Sequence, residues 1–94
     1  MEEWRPIPGF EGHYEVNGEG AVRSVKTKRK RLLKPGFHRS AGSRIYCLSL
    51  EGKAVPITGA RAVCLAFHGP DLGRSAVHIS TDLSDDSVQN VRWS

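Results

Sequence analysis

The residues best suited to chemistry in this chain of 94 residues are cations, and most of them lie in one segment. Between Ala21 and Arg44 the sequence has nine basic residues and no acidic one, whereas the rest has five basic and ten acidic residues. The nine are Arg23, Lys26, Lys28, Arg29, Lys30, Arg31, Lys34, Arg39 and Arg44. Crowded like charges repel one another, and a polymer of phosphates relieves that repulsion by releasing condensed counterions. We therefore predict that this segment binds nucleic acid, with a solvated or protein-facing loop as the alternative.

Cysteine and histidine could form a second kind of site. Cys64 and His68 are four residues apart on a predicted helix, and Cys47 or His78 could complete a tetrahedron around zinc. However, there is no paired Cys-x-x-Cys, and nothing in the spacing requires the four residues to converge. Both cysteines lie among apolar residues, where a thiol usually packs as a small hydrophobe. We therefore predict two reduced, packed cysteines, no metal site and no cofactor.

Length and composition restrict the class of protein. A chain of this length suits one domain, near the lower limit for a self-sufficient core. No stretch approaches the roughly 20 apolar residues of a membrane-spanning helix. The start, Met1-Glu2-Glu3-Trp4, lacks the positive charge and the apolar run of a secretory signal. The basic segment also lacks an amphipathic apolar face or a lipidation signal. We expect a soluble, intracellular protein without a membrane partner.

The elements that must position these residues are short. Alternating apolar and polar residues predict two β-hairpins, the first around the turn Asn17-Gly18-Glu19-Gly20 and the second around residues 51–53. Pro56 marks an edge strand or a strand end. A helix follows with Thr58 as its N-cap and Gly69-Pro70 as its stop. In chain order, the predicted elements are strands 13–16, 21–25, 45–50 and 54–57, helix 60–67, and strands 76–79 and 91–93.

Several short motifs occur in an order and spacing that are hard to obtain by chance. The first half contains Trp4-Arg5-Pro6-Ile7-Pro8-Gly9-Phe10, Tyr14-Glu15-Val16, Gly20, Val22-Arg23-Ser24 and Leu33-Lys34-Pro35. The second half contains Arg61-Ala62-Val63-Cys64-Leu65-Ala66-Phe67, Val77-His78-Ile79 and Asn90-Val91-Arg92-Trp93. Together they resemble the nuclease-associated modular domain (NUMOD) and the HNH homing endonucleases of phages and bacteria that it precedes. The resemblance covers nearly the whole chain.

This resemblance implies strands that lay a basic surface against DNA, followed by a ββα-metal finger. In such sites a histidine activates water to attack the phosphodiester, while a divalent metal stabilises the developing charge. His78 stands at the position of the histidine base, and Asn90 stands where an asparagine braces the loop through bonds to backbone. The implied division is a NUMOD-like β region over residues 1–57 and an HNH-like remnant over residues 58–94.

The nuclease centre implied by the family is incomplete in this sequence. Val77, which cannot bind magnesium, stands where Asp or Asn is usual, and Ser80 and Asp82 stand where Asp and Asn are usual. Ala60 replaces the family's first histidine, and the metal-binding helix would follow the last strand, near where the sequence ends at Ser94. We therefore predict an α+β fold of one small domain, with two β-hairpins, one short helix and an incomplete finger. Magnesium or manganese would be a cofactor only if nuclease activity were present.

Two readings of the loop after His78 stay open. His78 could be the catalytic base, or it could be a hydrogen-bonded structural residue in a short strand. Asp82, Asp85 and Asp86 could recruit a cation, but three acids in a polar loop more often form a solvated turn. We expect the solvated turn.

Three functions are compatible with this sequence. The first is a protein that binds nucleic acid, most simply double-stranded DNA, without nuclease activity of its own. The second is a phage-type accessory protein that binds a host or viral protein. The third is an HNH endonuclease completed by dimerisation or by a partner chain. For each, the expected location is the cytoplasm of a bacterial or phage-infected cell.

Overall fold

The N-terminal half is built on an antiparallel sheet. The computed structural model of the protein describes residues 3–26, 28–37, 44–83 and 85–94. The sheet has the order β1-β2-β3-β4. Its strands are β1 (Trp4–Pro6), β2 (Tyr14–Asn17), β3 (Val22–Ser24) and β4 (Arg31–Leu32). The predicted first hairpin is confirmed as β2 and β3. Its turn is fixed by Asn17 Oδ1, which accepts from Glu19 N at 3.0 Å and from Ala21 N at 2.9 Å.

A second antiparallel sheet has the order β5-β6-β7. Its strands are β5 (Gly36–Phe37), β6 (Arg44–Leu50) and β7 (Lys53–Thr58). Glu51 and Gly52 have φ of 53° and 79°, the left-handed pair that a tight two-residue hairpin requires. Pro56 lies on β7 at the edge of this sheet, where a missing N–H costs no ladder bond. The second predicted hairpin and its edge proline are therefore confirmed.

Helix α1 (Gly59–Phe67) connects β7 to the C-terminal hairpin. Thr58 Oγ1 accepts from Arg61 N at 3.1 Å, which confirms the predicted N-cap. The last hairpin pairs β8 (Ala76–His78) with β9 (Val91–Trp93) and packs on α1. Within the described ranges, no helix is long and apolar enough to cross a membrane.

The core lies where the three sheets meet α1. Its buried residues are Ile7, Tyr14, Val16, Val22, Tyr46, Leu48, Ile57, Ala60, Ala62, Val63, Cys64 and Val91. Because all three sheets contribute, the β region and the C-terminal hairpin share one core. The small domain of α+β class with antiparallel strands and one short helix is therefore confirmed.

The two cysteines differ, which corrects the expectation that both pack as small hydrophobes. Cys64 is buried on α1, but Cys47 is exposed. Alternation along β6 is the reason: Tyr46 and Leu48 face the core, so the side chain between them faces out. Burial raises the pKa of the Cys64 thiol to about 11.

Candidate functional site

The basic segment forms a hairpin at the edge of the first sheet. Strand β4 pairs with β3 in the register Arg23 to Leu32 and Ser24 to Arg31. We call β3, β4 and the described residues between them, 25–26 and 28–30, the basic hairpin. Lys28, Arg29, Lys30 and Arg31 are all exposed on it, and so is Lys34 just beyond β4. The strand β4 was not among the predicted elements. Arg39 lies outside the described residues, which stop at 37 and resume at 44.

A recess opens on one side of the basic hairpin. Its volume is about 540 Å³, and it is lined by Ser24, Lys26, Arg29, Lys30 and Arg31. Four of these five lining residues carry a positive charge, so the recess is an electropositive concavity.

Lys26 fixes the basic hairpin to the second sheet. Its Nζ donates to Ser49 O at 2.5 Å and lies 4.9 Å from the centroid of the Tyr14 ring. The Tyr14 hydroxyl in turn accepts from Ser49 N at 2.9 Å. This cation is therefore held at a defined place rather than ranging freely on a flexible stem.

Arg23, also predicted to contact nucleic acid, is engaged within the protein. Its Nε and Nη2 donate to Glu15 Oε1 at 2.9 and 2.7 Å. Its guanidinium lies 4.1 Å from the centroid of the Trp4 ring. These contacts tie β1, β2 and β3 together and neutralise the charge of Arg23 locally.

Arg44 is turned toward the interior. Its Nε is buried and has no hydrogen-bond partner among the described residues. Tyr46 donates its hydroxyl to Gly20 O at 3.0 Å. Burial raises the pKa of Tyr46, while the charge and the hydrogen bond of Arg44 act in the opposite direction. Arg44 therefore lies beside the buried phenol of Tyr46.

His78 is paired with a buried carboxylate. His78 Nε2 lies 2.6 Å from Asp86 Oδ1, and the two side chains are 9% and 1% exposed. Asp82 and Asp85 are exposed, but Asp86 is not, which corrects the expectation of a fully solvated acidic turn.

Two glycines make room for Asp86. A Cβ on Gly20 would lie 2.6 Å from Asp86 Cβ, and a Cβ on Gly59 would collide with Asp86 Oδ2. Asp86 therefore fits between the turn of the first hairpin and the first residue of α1. The sequence does not distinguish Asp86 from Asp85, because both stand in the same polar loop. The approach of Asp86 to Gly20 and Gly59 becomes visible only in the folded structure.

The electrostatics of Asp86 follow from this position. Burial raises the pKa of Asp86, and the hydrogen bond and charge of His78 only partly oppose that effect. Its Oδ2 is buried without a hydrogen-bond partner among the described residues. The carboxyl is therefore held in an environment that disfavours its charged form.

Asn90 lies across the loop between His78 and Asp86. Its Oδ1 accepts from Ser80 N at 3.0 Å, and its Nδ2 donates to Asp85 O at 2.8 Å. These are the side-chain-to-backbone bonds expected of a brace. The loop is therefore fixed at both ends by one amide.

Across residues 3–26, 28–37, 44–83 and 85–94, the side chains do not fit a site for a divalent metal or zinc. Among the described residues, no three or more His, Cys, Asp or Glu side chains converge to hold an ion. The side chain of Val77, adjacent to His78, offers no oxygen, and Asp86 is turned toward the imidazole. The tetrahedron considered for Cys47, Cys64, His68 and His78 is therefore not assembled in the described structure.

A hairpin with exposed cations, a short capped helix and a C-terminal hairpin with an internal histidine define a small α+β module. The NUMOD4 motif matches residues 2–49. The DNA endonuclease I-HmuI of Bacillus phage SP01 is 32% identical over 95 aligned residues, which cover 97% of this chain and 51% of the relative. The chain therefore belongs to the NUMOD4 family of proteins related to HNH endonucleases.

A solved structure gives the same relationship. It describes DNA binding and cleavage by the HNH homing endonuclease I-HmuI, with a TM-score of 0.84 at 30% identity. The alignment covers 98% of this chain and 52% of that one. The chain thus spans about half the length of the relatives it matches.

Proposed function

We propose that this protein binds double-stranded DNA through the basic hairpin and has no nuclease activity of its own. The observation that carries the proposal is the row of four exposed cations, residues 28–31, in a segment of 24 residues without an acid. DNA carries a dense row of phosphates, and such a row of cations displaces its condensed counterions.

The type of contact follows from the side chains. Lysine and arginine on an edge hairpin reach phosphates readily, and phosphate contacts set position rather than sequence. Arg23 and Arg44 are engaged within the protein, so they contribute mainly to the shape of the hairpin and its surroundings. The similarity to a DNA endonuclease supports DNA as the polymer. The site of action is then the cytoplasm of a bacterial or phage-infected cell.

The proposed absence of nuclease activity rests on the side chains available to bind a metal ion near His78. A single-metal nuclease needs oxygen ligands beside its histidine base. Val77 supplies none, and the nearby carboxylate of Asp86 is committed to His78. The protein therefore binds DNA without a metal ion to stabilise the negative charge that develops on the phosphate during cleavage.

Binding can be measured by fluorescence anisotropy with a labelled duplex of mixed sequence across a salt series. The logarithm of the affinity should fall linearly with the logarithm of salt concentration, by about 0.9 for each phosphate contacted. An RNA duplex and a single strand serve as comparisons. Absence of binding at low salt, or binding that ignores salt, contradicts the proposal.

One observation favours a second candidate function, an HNH endonuclease completed by dimerisation or by a partner chain. A carboxyl group 2.6 Å from His78 Nε2 orients the imidazole, as the partner of a general-base histidine does. A plasmid-nicking assay with Mg²⁺ or Mn²⁺ separates the two candidates. The first predicts no nicking by wild type, whereas the second predicts nicking that is lost in His78→Ala.

A further inference from the structure

We propose that the recess beside the basic hairpin is a binding site for a single backbone phosphodiester of DNA, distinct from the general attraction of the surrounding charge. The recess is lined by Ser24, Lys26, Arg29, Lys30 and Arg31. This inference rests on the proposed function and narrows it from a basic surface to one subsite.

The chemistry of the lining suits a phosphate group. Arginine offers several N–H donors in a planar fork, lysine offers a compact charge, and serine offers a hydroxyl. Ser24 and Arg31 face each other across the β3–β4 pair, so the two strands bring a hydroxyl and a guanidinium to the same recess. No acidic residue is among the described residues that line it.

The recess is also preorganised on one side. The contacts of Lys26 with Ser49 O and the Tyr14 ring hold its ammonium before any ligand arrives. Ser24 Oγ accepts a hydrogen bond from the backbone N of Lys26 at 3.5 Å, which also restrains the serine hydroxyl. A ligand that enters therefore orders fewer side chains than it would on an open patch, and its binding costs less entropy.

Lys28 provides a matched control for the recess. It is exposed on the same hairpin and carries the same charge as Lys30, but it does not line the recess. If the hairpin were a uniform basic patch, Lys28→Ala and Lys30→Ala would lower DNA affinity equally, because both remove one unit of positive charge. If the recess is a subsite, Lys30→Ala lowers affinity more, because only this substitution removes a direct charge-assisted hydrogen bond to the phosphate.

The test measures duplex DNA affinity for wild type, Lys30→Ala and Lys28→Ala at one salt concentration and across a salt series. Lys30→Ala should lose about tenfold in affinity, the equivalent of one charged hydrogen bond, and about one unit of salt slope. Lys28→Ala should also lose affinity, by about threefold, because it removes a charge of the basic hairpin but no contact within the recess. Ser24→Ala should weaken binding by about threefold without altering the salt slope, since it removes a neutral hydroxyl.

A second measurement uses inorganic phosphate as the probe. Titration followed by amide chemical shifts should perturb residues 24, 26 and 29–31 saturably, and Lys30→Ala should abolish the effect while Lys28→Ala retains it. Equal affinity losses in the two lysine variants, or shifts spread evenly over all cations, would overturn the subsite and leave the proposed function standing. Absence of DNA binding by wild type would overturn both.

Discussion

His78 Nε2 and Asp86 Oδ1 lie 2.6 Å apart in the interior, where this pair links β8 to the loop that leads into β9. Asp86 stands at the point where the loop before β9 meets the turn after Asn17 and the start of α1. The histidine for which the sequence leaves a catalytic and a structural role open thus has a buried hydrogen-bond partner in this chain.

The first prediction concerns the pH dependence of stability. Because burial raises the pKa of Asp86 above its usual value of 3.8, the native state binds its proton more tightly than the unfolded state does. Its stabilising contribution is therefore fully present below the unfolded pKa and is lost as pH rises through the folded pKa. Asp86→Asn removes this titration. The free energy of unfolding of wild type, relative to Asp86→Asn, should fall as pH rises above the usual Asp86 pKa of 3.8.

Denaturant unfolding at a series of pH values measures this difference. At neutral pH, Asp86→Asn should match or exceed wild type, since burial penalises the ionised carboxyl and the hydrogen bond and charge of His78 only partly offset that penalty. Parallel pH profiles of stability for the two proteins would show that folding does not shift the pKa of Asp86.

The second prediction concerns Gly59, whose added Cβ would collide with Asp86 Oδ2. Gly59→Ala should lower the free energy of unfolding by about 1–3 kcal/mol, despite the better helix propensity of alanine. Gly18→Ala is the matched control, because its Cβ would lie 3.7 Å from Val88 Cγ1, an ordinary contact. In an Asp86→Ala background the cost of Gly59→Ala should shrink. If Gly59→Ala lowers the free energy of unfolding as much in that background, the added methyl group collides with a residue other than Asp86.

The third prediction separates structure from binding at Arg23. Its guanidinium bonds to Glu15 and stacks on Trp4, and both members of the ion pair are about one-fifth exposed. Arg23→Lys should lower stability by roughly 1 kcal/mol, because lysine cannot reproduce a planar stack and a forked donor together. DNA affinity should change little, because the charge is retained. Thermal unfolding and anisotropy report the two effects, and the reverse pattern would assign Arg23 to the DNA.

The fourth prediction concerns thiol reactivity. Cys47 is exposed, whereas Cys64 is buried with its pKa raised to about 11. The thiolate is the reactive form, so a maleimide should label Cys47 alone in the native protein and both cysteines in denaturant. Mass spectrometry counts the labels. Native labelling of Cys64 at a similar rate would contradict the packing of α1.

Local pattern was enough to predict most of the elements. The turn at Asn17, the hairpin of β6 and β7, and the Thr58 cap are each specified by neighbours within a few residues. The strand β4 was missed because its two residues, Arg31 and Leu32, are too few to show an alternating pattern, and it forms by pairing with β3. Propensity is weak for such short edge strands, whose pairing is set by the rest of the sheet.

The candidate site was predictable as charge but not as geometry. Composition located the cations, yet nothing in it distinguished exposed Lys28 from Arg23, which Glu15 and Trp4 hold. Asp86 was equally hidden, because its burial depends on Gly20 and Gly59, which are distant from it in sequence. Long-range contacts of this kind leave no periodic signal in the chain.

The central claim is that the basic hairpin is the DNA-binding face. It is tested most directly by two variants that lose the same charge at different places on the protein. One triple variant replaces Lys30, Arg29 and Arg31 with glutamine. The other replaces Lys53, Arg74 and Arg92, which are exposed elsewhere and match the first set in residue type.

Duplex affinity of the two variants is then compared with wild type across a salt series. The hairpin variant should lose at least about 100-fold in affinity and about 2.7 units of salt slope, while its counterpart should lose less than about threefold. Equal losses in both variants would contradict a localised DNA-binding face.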